Sequence, residues 1–304
     1  MASAGVIVVG TRGSGLALRQ THIVTAALQE RFPDIEVVTR TVETTGDRVQ
    51  NAPISSFGDK GVFVRAIELA LLEGSIDLAV HSLKDVPSDE ETPQLEIVAY
   101  STRADPRDAL LGRGGARLAD LPSGARVGTS SLRRRVQLAR LRGDLTIEDV
   151  RGNVDTRLRK LQSGAFDAVV LAMAGLTRLG LDGHVTQTFS VDEVVPDAGQ
   201  GIIAVQCRAG DSRALLLGRA IDDPSSRVAA EAERAVVRAL GAGCRSPVGA
   251  YAAIAGDTVT VRGMAASADG SLFIRDTVTG STAAAGNLGR ELGERLRHHI
   301  LACG

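Results

Sequence analysis

Ile76-Asp77-Leu78-Ala79-Val80-His81-Ser82-Leu83-Lys84-Asp85-Val86-Pro87 is the stretch from which the fold is read. The apolar run from Ile76 to Val80 predicts a buried strand. It delivers His81, Ser82, Lys84 and Asp85 in quick succession, and Pro87 is expected to stop it. Polar side chains at the C-terminal end of a buried strand are where open α/β sheets place ligand chemistry. Lysine is scarce: Lys60, Lys84 and Lys160 are 3 of 35 basic residues, leaving 32 arginines. A chain that almost always uses arginine has kept a compact ammonium beside a carboxylate here. Taken alone, Lys84 and Asp85 read equally well as a solvated ion pair in a turn, since such pairs are common and weak.

Outward from this stretch, strands and helices alternate. Upstream, Val6–Val9 and Glu36–Val42 read as strands, Leu16–Arg31 and Val62–Glu73 as helices, and Glu43 to Gly61 as a polar loop long enough for a mobile lid. Leu95–Tyr100 is a further strand. Around Thr102–Arg107 a second α/β unit begins, with strands Arg126–Gly128, Thr146–Val150 and Ala168–Ala172, each followed by a helical pattern. The alternation implies parallel sheets flanked by helices. The Pro/Gly break from Val195 to Gly201, followed by strand Ile202–Cys207, reads as the chain crossing between the units. Pro224 opens a long helix to Leu240. Strands near Tyr251–Ala255, Thr258–Gly263 and Ser271–Asp276, with a helix from about Ala283 to Leu301, form a small α+β block. The expected division is 1–102 with 199–220, then 103–198, then 221–304.

Composition sets outer bounds. At 304 residues the chain suits two or three domains, since single cores stop growing near ~250–300 residues. A net charge of −1 argues against bulk attraction to nucleic acid or an anionic membrane. With no Trp, two Tyr and six Phe, stacking platforms for single strands are missing. The first residues carry no basic segment of a signal peptide, and no apolar stretch approaches the ~20 residues of a membrane span. Three cysteines make no disulfide framework. A soluble, cytoplasmic protein is expected.

The arginines gather at strand-to-helix turns: Thr11-Arg12-Gly13-Ser14-Gly15, Thr129-Ser130-Ser131-Leu132-Arg133-Arg134-Arg135, Arg151-Gly152-Asn153-Val154-Asp155-Thr156-Arg157, and Ala174-Gly175-Leu176-Thr177-Arg178. Such a turn offers free backbone N–H groups, the positive end of a helix dipole and a guanidinium that grips carboxylates bidentately. Any one of these arginines is readable as a surface residue. Four such turns at the same edge of two sheets point to a cleft for a small molecule with several anionic groups. Consecutive helical arginines fan out by ~200°, so at least one of Arg133, Arg134 and Arg135 is expected in solvent. Phosphate fits less well, because neither GxxxxGK[ST] nor GxGxxG is present.

His22, His81, His184, His298 and His299 have no metal-ligand spacing with the cysteines, so no metal is expected. His22 reads as structural, and His298 and His299 as solvated. Cys207 ends an apolar strand and reads as buried and inert. Cys244 lies in Gly241-Ala242-Gly243-Cys244-Arg245-Ser246-Pro247, a tight loop where Arg245 favours the thiolate. It is a candidate nucleophile or attachment point, with an idle exposed thiol as the alternative.

Together VHSLKDVP, GTSSLRRR, RGNVDTRL and the segment from Glu233-Arg234 to Gly249 around Cys244 resemble the porphobilinogen deaminase (hydroxymethylbilane synthase) family, in order and across essentially the whole chain. The resemblance implies two domains like type II periplasmic binding proteins plus a small α+β C-terminal domain. It implies condensation of four porphobilinogens with loss of ammonia, on a dipyrromethane cofactor held by a thioether to Cys244, before water releases hydroxymethylbilane. Loss of ammonia gives an electron-poor azafulvene, and a fixed carboxylate can then hold pyrrole N–H groups and move protons. By resemblance that carboxylate is Asp85. Lys84, Thr129, Ser131, Arg133 and Arg134 would surround the cofactor's carboxylates, Arg12, Ser14, Arg151, Arg157 and Arg178 the substrate and growing chain, with Lys60 in the mobile loop. Departures from the family pattern are Gly13, Gly15, Ser56, Asp155, Ala242 and Ser246. The partner expected is a small molecule, with neither nucleic acid nor membrane, for a monomer that leaves room for hand-over of product to the next enzyme. The rival is a non-enzymatic module of the same fold that binds a small polyanion, which would need neither Cys244 nor Asp85.

Overall fold

The computed structural model describes residues 5–43, 64–88, 92–241 and 247–302. The lid reading of 43–61 (beyond Glu43), Lys60, Ser56, Ala242, Cys244 and Ser246 lie outside the described residues. Along the chain, β1 (Val6–Thr11), β2 (Glu36–Thr41), β3 (Leu78–Ser82) and β4 (Leu95–Tyr100) alternate with helices Gly15–Arg31 and Arg65–Leu72. Strands β5 (Asp108–Gly112), β6 (Arg126–Gly128), β7 (Thr146–Glu148), β8 (Ala168–Ala172) and β9 (Gln187–Thr188) alternate with helices Leu132–Leu141, Val154–Gln162 and Met173–Arg178. Then come β10 (Ile203–Arg208), helices Ser212–Arg219 and Pro224–Leu240, strands β11 (Val248–Ala255), β12 (Thr258–Ala266) and β13 (Phe273–Ser281), and helix Ala285–Ala302. No helix among the described residues is long and apolar enough to cross a membrane.

The chain forms two compact units, 1–103 with 202–227, and 104–201 with 228–304. The first holds one five-stranded sheet, ordered β2-β1-β3-β10-β4. The second holds a five-stranded sheet, β7-β6-β8-β5-β9, and a three-stranded antiparallel sheet, β11-β12-β13. The two large sheets share a plan. In each, four strands run in one direction and the strand in the fourth position runs against them: β10 against β3 and β4, and β5 against β8 and β9. The expectation of parallel sheets is corrected at those positions. Strand β5 is the first element after the chain leaves the first unit, and β10 the first after it returns. The fold class is thus α/β, with two five-stranded mixed sheets of one plan and a small α+β part at the C-terminal end.

Strands buried on both faces explain the continuous apolar runs. In β5 and β8, successive residues point to opposite faces. Leu110 and Val170 join Val127, Leu138 and Phe189 on one side, while Ala109, Leu111, Val169 and Leu171 join Val150, Leu161 and Leu176 on the other. In the first unit Ile7, Val9, Leu78, Val80 and Val205 pack against Val24, Leu28 and Leu217. Phe189 is the one ring among the largest fully buried side chains, as a core built from Val, Leu, Ile and Ala requires.

β3 begins two residues later than its apolar run. Asp77 is spent on β1 instead: its Oδ2 accepts from Val8 N at 2.9 Å, and its N–H donates to Val8 O at 2.8 Å. The strand then continues through His81 and Ser82. Pro87 does not end it; a 3₁₀ turn, Leu83–Asp85, comes first, with Leu83 N donating to Ile202 O at 3.0 Å.

In the second unit, helix 285–302 lies against helix 224–240 and the small sheet. Buried Glu233 accepts from Gly199 N and Ala252 N, each at 2.7 Å, tying the Pro/Gly break to β11. The helices meet through glycine: a Cβ on Gly289 would overlap the carbonyl oxygen of Ala232. Gly289→Ala is therefore expected to destabilise by about 1–3 kcal/mol through overpacking. Calorimetry should show a fall in Tm of about 2–4 °C for each kcal/mol. An unchanged Tm would contradict that contact.

Candidate active site

Within the first unit, the turn after β3 presents Lys84 half-buried and Asp85 exposed. Both carry further interactions, so neither is an isolated charge. Ser82, at the strand end, meets Gln20 of helix 15–31: Gln20 Nε2 donates to Ser82 Oγ at 2.8 Å, which fixes that helix against the strand. Ser14 caps the same helix, its Oγ accepting from Ala17 N at 3.3 Å. Its own hydroxyl proton is left for another acceptor. Arg12, half-buried, precedes it at the end of β1.

His81 is buried, with Nε2 3.1 Å from Gln206 Oε1. Gln206 Nε2 donates to Glu68 Oε1 at 2.9 Å, so its Oε1 is turned to the histidine and Nε2 of His81 is the donor. Burial pushes the His81 pKa down to about 4, opposed by the Gln206 hydrogen bond and assisted by the Arg12 charge. His81, four residues before the candidate acid, is therefore a neutral imidazole at neutral pH.

Within the second unit, the turn after β6 leads into helix 132–141. Thr129 is buried and its Oγ1 accepts from Ser131 N at 3.3 Å; Ser131 Oγ caps the helix by accepting from Arg134 N at 3.4 Å. Arg133 and Arg134 point inward, 3% and 6% exposed. Both bind one carboxylate, Asp108: Arg133 Nη1 to Oδ2 at 2.8 Å, and Arg134 Nη2 and Nε to Oδ1 at 2.7 and 3.0 Å. Burial opposes ionisation of Asp108, but the two guanidiniums outweigh it and hold its carboxyl well below the usual range. Arg135 is the outward member of the three, paired with Asp149 at 2.7 Å.

The turn after β7 is built on Gly152, whose φ of +103° is open to glycine at little cost. Asn153 then caps helix 154–162, Oδ1 accepting from Thr156 N at 2.9 Å. Arg151 is half-buried before the cap, and Asp155 is exposed in the first turn, where it suits the helix dipole. Arg157 is half-buried; its Nε donates to Gly152 O at 2.9 Å, and it has no ion pair among the described residues. Desolvation, with the nearby Arg134 charge, pulls its pKa down to about 10.

The fourth turn is not like the others. Helix 173–178 starts at Ala172 without a side-chain cap, and Arg178 sits in its last turn, not at its N-terminus. Its Nη2 donates to Gly201 O at 2.7 Å, again without an ion pair among the described residues, and burial lowers its pKa to about 10. By contrast Arg107, Arg113, Arg126, Arg142 and Arg208 each hold an Asp or Glu. Desolvated guanidiniums without an acid suit an anionic ligand.

Cys207 is buried, and desolvation lifts its pKa to about 11, so it is inert as expected. His22 is exposed on its helix and fills no core position; His298 and His299 are exposed too. The sequence reading missed Asp108, Gln200 and the His81–Gln206–Glu68 chain. The available signal was an acid heading the apolar run Ala109–Leu111.

Acid stability should register His81. In the unfolded chain a histidine takes its proton near pH 6.5, but in the fold only near 4. The unfolded form thus binds the proton first, and stability falls as pH drops from about 6.5 to about 4, by at most about 1.4 kcal/mol per pH unit from this group. His81→Gln should flatten denaturant-melt stability over that window; an unaltered slope would contradict the buried neutral state.

A family model described as "Porphobilinogen deaminase, dipyromethane cofactor binding domain" matches residues 7–215, and one described as "Porphobilinogen deaminase, C-terminal domain" matches 228–298. Proteins named porphobilinogen deaminase are similar over almost their whole length. That of Roseiflexus castenholzii is 49% identical over 95% of this chain and 95% of its own. That of Syntrophobacter fumaroxidans is 47% identical over 96% and 94%, and that of Thermus thermophilus 46% over 94% and 94%. Among solved structures, the methionine-binding protein MetQ aligns at 15% identity with a TM-score of 0.46, over 73% of this chain and 92% of that one. With both family models in chain order and these relatives at full length, the chain belongs to the porphobilinogen deaminase family.

Proposed function

We propose that this chain is a transferase that joins four porphobilinogen molecules head to tail on a dipyrromethane carried by Cys244, losing ammonia at each step, and that water then frees hydroxymethylbilane. The observation that carries the reading is the surplus of buried or half-buried guanidinium: Arg157 and Arg178 without an ion pair among the described residues, and Arg133 and Arg134 sharing one acid. Porphobilinogen and the pyrroles made from it carry an acetate and a propionate on every ring. The donor set fits that group: Arg133 Nε and Nη2 are buried without a partner. We read the chain as three domains, 1–102 with 199–220, 103–198 and 221–304, in a cytoplasmic monomer that passes its product on.

When bound, the dipyrromethane supplies the free pyrrole carbon from which the product grows. The residues do the rest. Lys84, Thr129, Ser131, Arg133 and Arg134 hold its carboxylates. Arg12, Ser14, Arg151, Arg157 and Arg178 take those of the substrate and the lengthening chain, and Lys60 acts from the 43–61 loop. Guanidiniums recognise carboxylates in pairs of parallel bonds, which fixes ring orientation as well as affinity. Ser14 and Ser131 cap helices with their lone pairs and keep a hydroxyl proton to donate. Asp85 is the acid of the turn after β3. It accepts pyrrole N–H groups, stabilises positive charge as ammonia leaves, and takes the ring proton. The polyanion-binding module of the same fold would use the same arginines but gives no task to Asp85.

Asp85→Asn should keep the fold and the covalent cofactor while turnover of porphobilinogen falls by about 10²–10⁴-fold, the usual worth of an acid–base group. Near-normal turnover would sink the assignment. Intact-protein mass should show one fixed increment that Cys244→Ser abolishes. An unmodified mass with no porphobilinogen consumed would favour the binding module.

A further inference from the structure

Asp108 is fully buried at the head of β5, and the chemistry proposed above gives it no proton to move. Its carboxylate is bonded to the two arginines assigned to the cofactor and to one amide side chain. Its Oδ2 accepts from Arg133 Nη1, and its Oδ1 accepts from Arg134 and, at 2.9 Å, from Gln200 Nε2. Gln200 is buried too, and the same nitrogen donates to Pro106 O at 2.7 Å. The two guanidiniums are anchored from behind as well, Arg133 Nη1 on Val195 O at 2.7 Å and Arg134 Nη1 on Val170 O at 3.1 Å.

Two features set this cluster apart from an ordinary buried ion pair. One carboxylate is hydrogen-bonded to two buried guanidiniums, and the next acid that acts on Arg133, Asp197, does so through charge with no hydrogen bond to it. The donors left over are also specific: Nε and Nη2 of Arg133, both buried and unpartnered. Those two nitrogens form one edge of the guanidinium fork, the edge that grips a carboxylate with two parallel bonds. A covered edge suits a group that is loaded once and stays, better than a substrate that turns over.

We propose that Asp108, oriented by Gln200, is a positioning residue for the cofactor: it fixes Arg133 and Arg134 so that the open edge of Arg133 meets one carboxylate of the dipyrromethane. This rests on the reading that the chain carries that group.

The test uses full-length wild type, Asp108→Asn and Gln200→Met. Intact mass reads the fraction of molecules carrying the cofactor increment, and the rate at which unloaded molecules gain it when porphobilinogen is added; calorimetry reads Tm alongside. Wild type should load fully. Both variants should load about tenfold more slowly or worse, as expected for misplacing a charge-assisted contact. Gln200→Met, which keeps every charge, decides the matter if Asp108→Asn does not fold. Folded variants that lose Tm yet load at the wild-type rate would make Asp108 a structural anchor only and overturn the proposal. A wild type that never gains the increment would instead overturn the functional reading, and this inference with it.

Discussion

Two guanidiniums share one carboxylate in the interior of the second unit, and much of the site's arrangement follows from that imbalance. Asp108 can sit in an apolar strand only because Arg133 and Arg134 neutralise it. The arginines can be buried only because Asp108, Val195 O and Val170 O take their donors. What remains is a guanidinium edge on Arg133, Nε and Nη2, that no protein acceptor fills. Arg157 feels the Arg134 charge, which adds to desolvation in lowering its pKa. A protein selected for stability alone would add an acid here. This one gives Arg107, Arg113, Arg126, Arg142 and Arg208 an acid each and makes Arg133 and Arg134 share a hydrogen-bonded one.

The sheet plan says where such residues can stand. Parallel strands β1, β6 and β7 all end at turns into helices whose first N–H groups are capped by Ser14, Ser131 and Asn153. A short side chain satisfies one N–H, and the dipole end stays positive. The guanidiniums just before or after each cap add full charge to that partial one. β3 ends differently, in a 3₁₀ turn that carries both an ammonium and a carboxylate. The neutral His81 behind it keeps a further positive charge from that turn at neutral pH.

Much of this was legible in the sequence, for local reasons. Helix 224–240 was bounded correctly because Pro224 fixes its first turn. β3 was found from its apolar run but placed two residues early, since Asp77 bonds β1 across the sheet and local pattern cannot show that. β5 was missed because a charged residue opens it, and the partners that neutralise Asp108 lie 25 and 26 residues away. The antiparallel direction of β5 and β10 was illegible for the same reason: strand direction belongs to the pairing, not to the strand. The arginine of the last turn was assigned to a helix start because Ala174 and Gly175 look like a loop, whereas they lie inside the helix Met173–Arg178. Cys244 and Asp85 took their roles from family resemblance, which local chemistry alone left open.

The central claim is that guanidinium donors which no protein acceptor fills select a ligand by its carboxylates. Its most direct test is kcat/KM for porphobilinogen against porphobilinogen with both acids converted to methyl esters. Ester formation keeps the ring and the aminomethyl group but removes both anions. Each charge-assisted bond lost is worth about 1.5–3 kcal/mol, so the account predicts a fall of at least about a hundredfold. Equal consumption of acid and diester would contradict it.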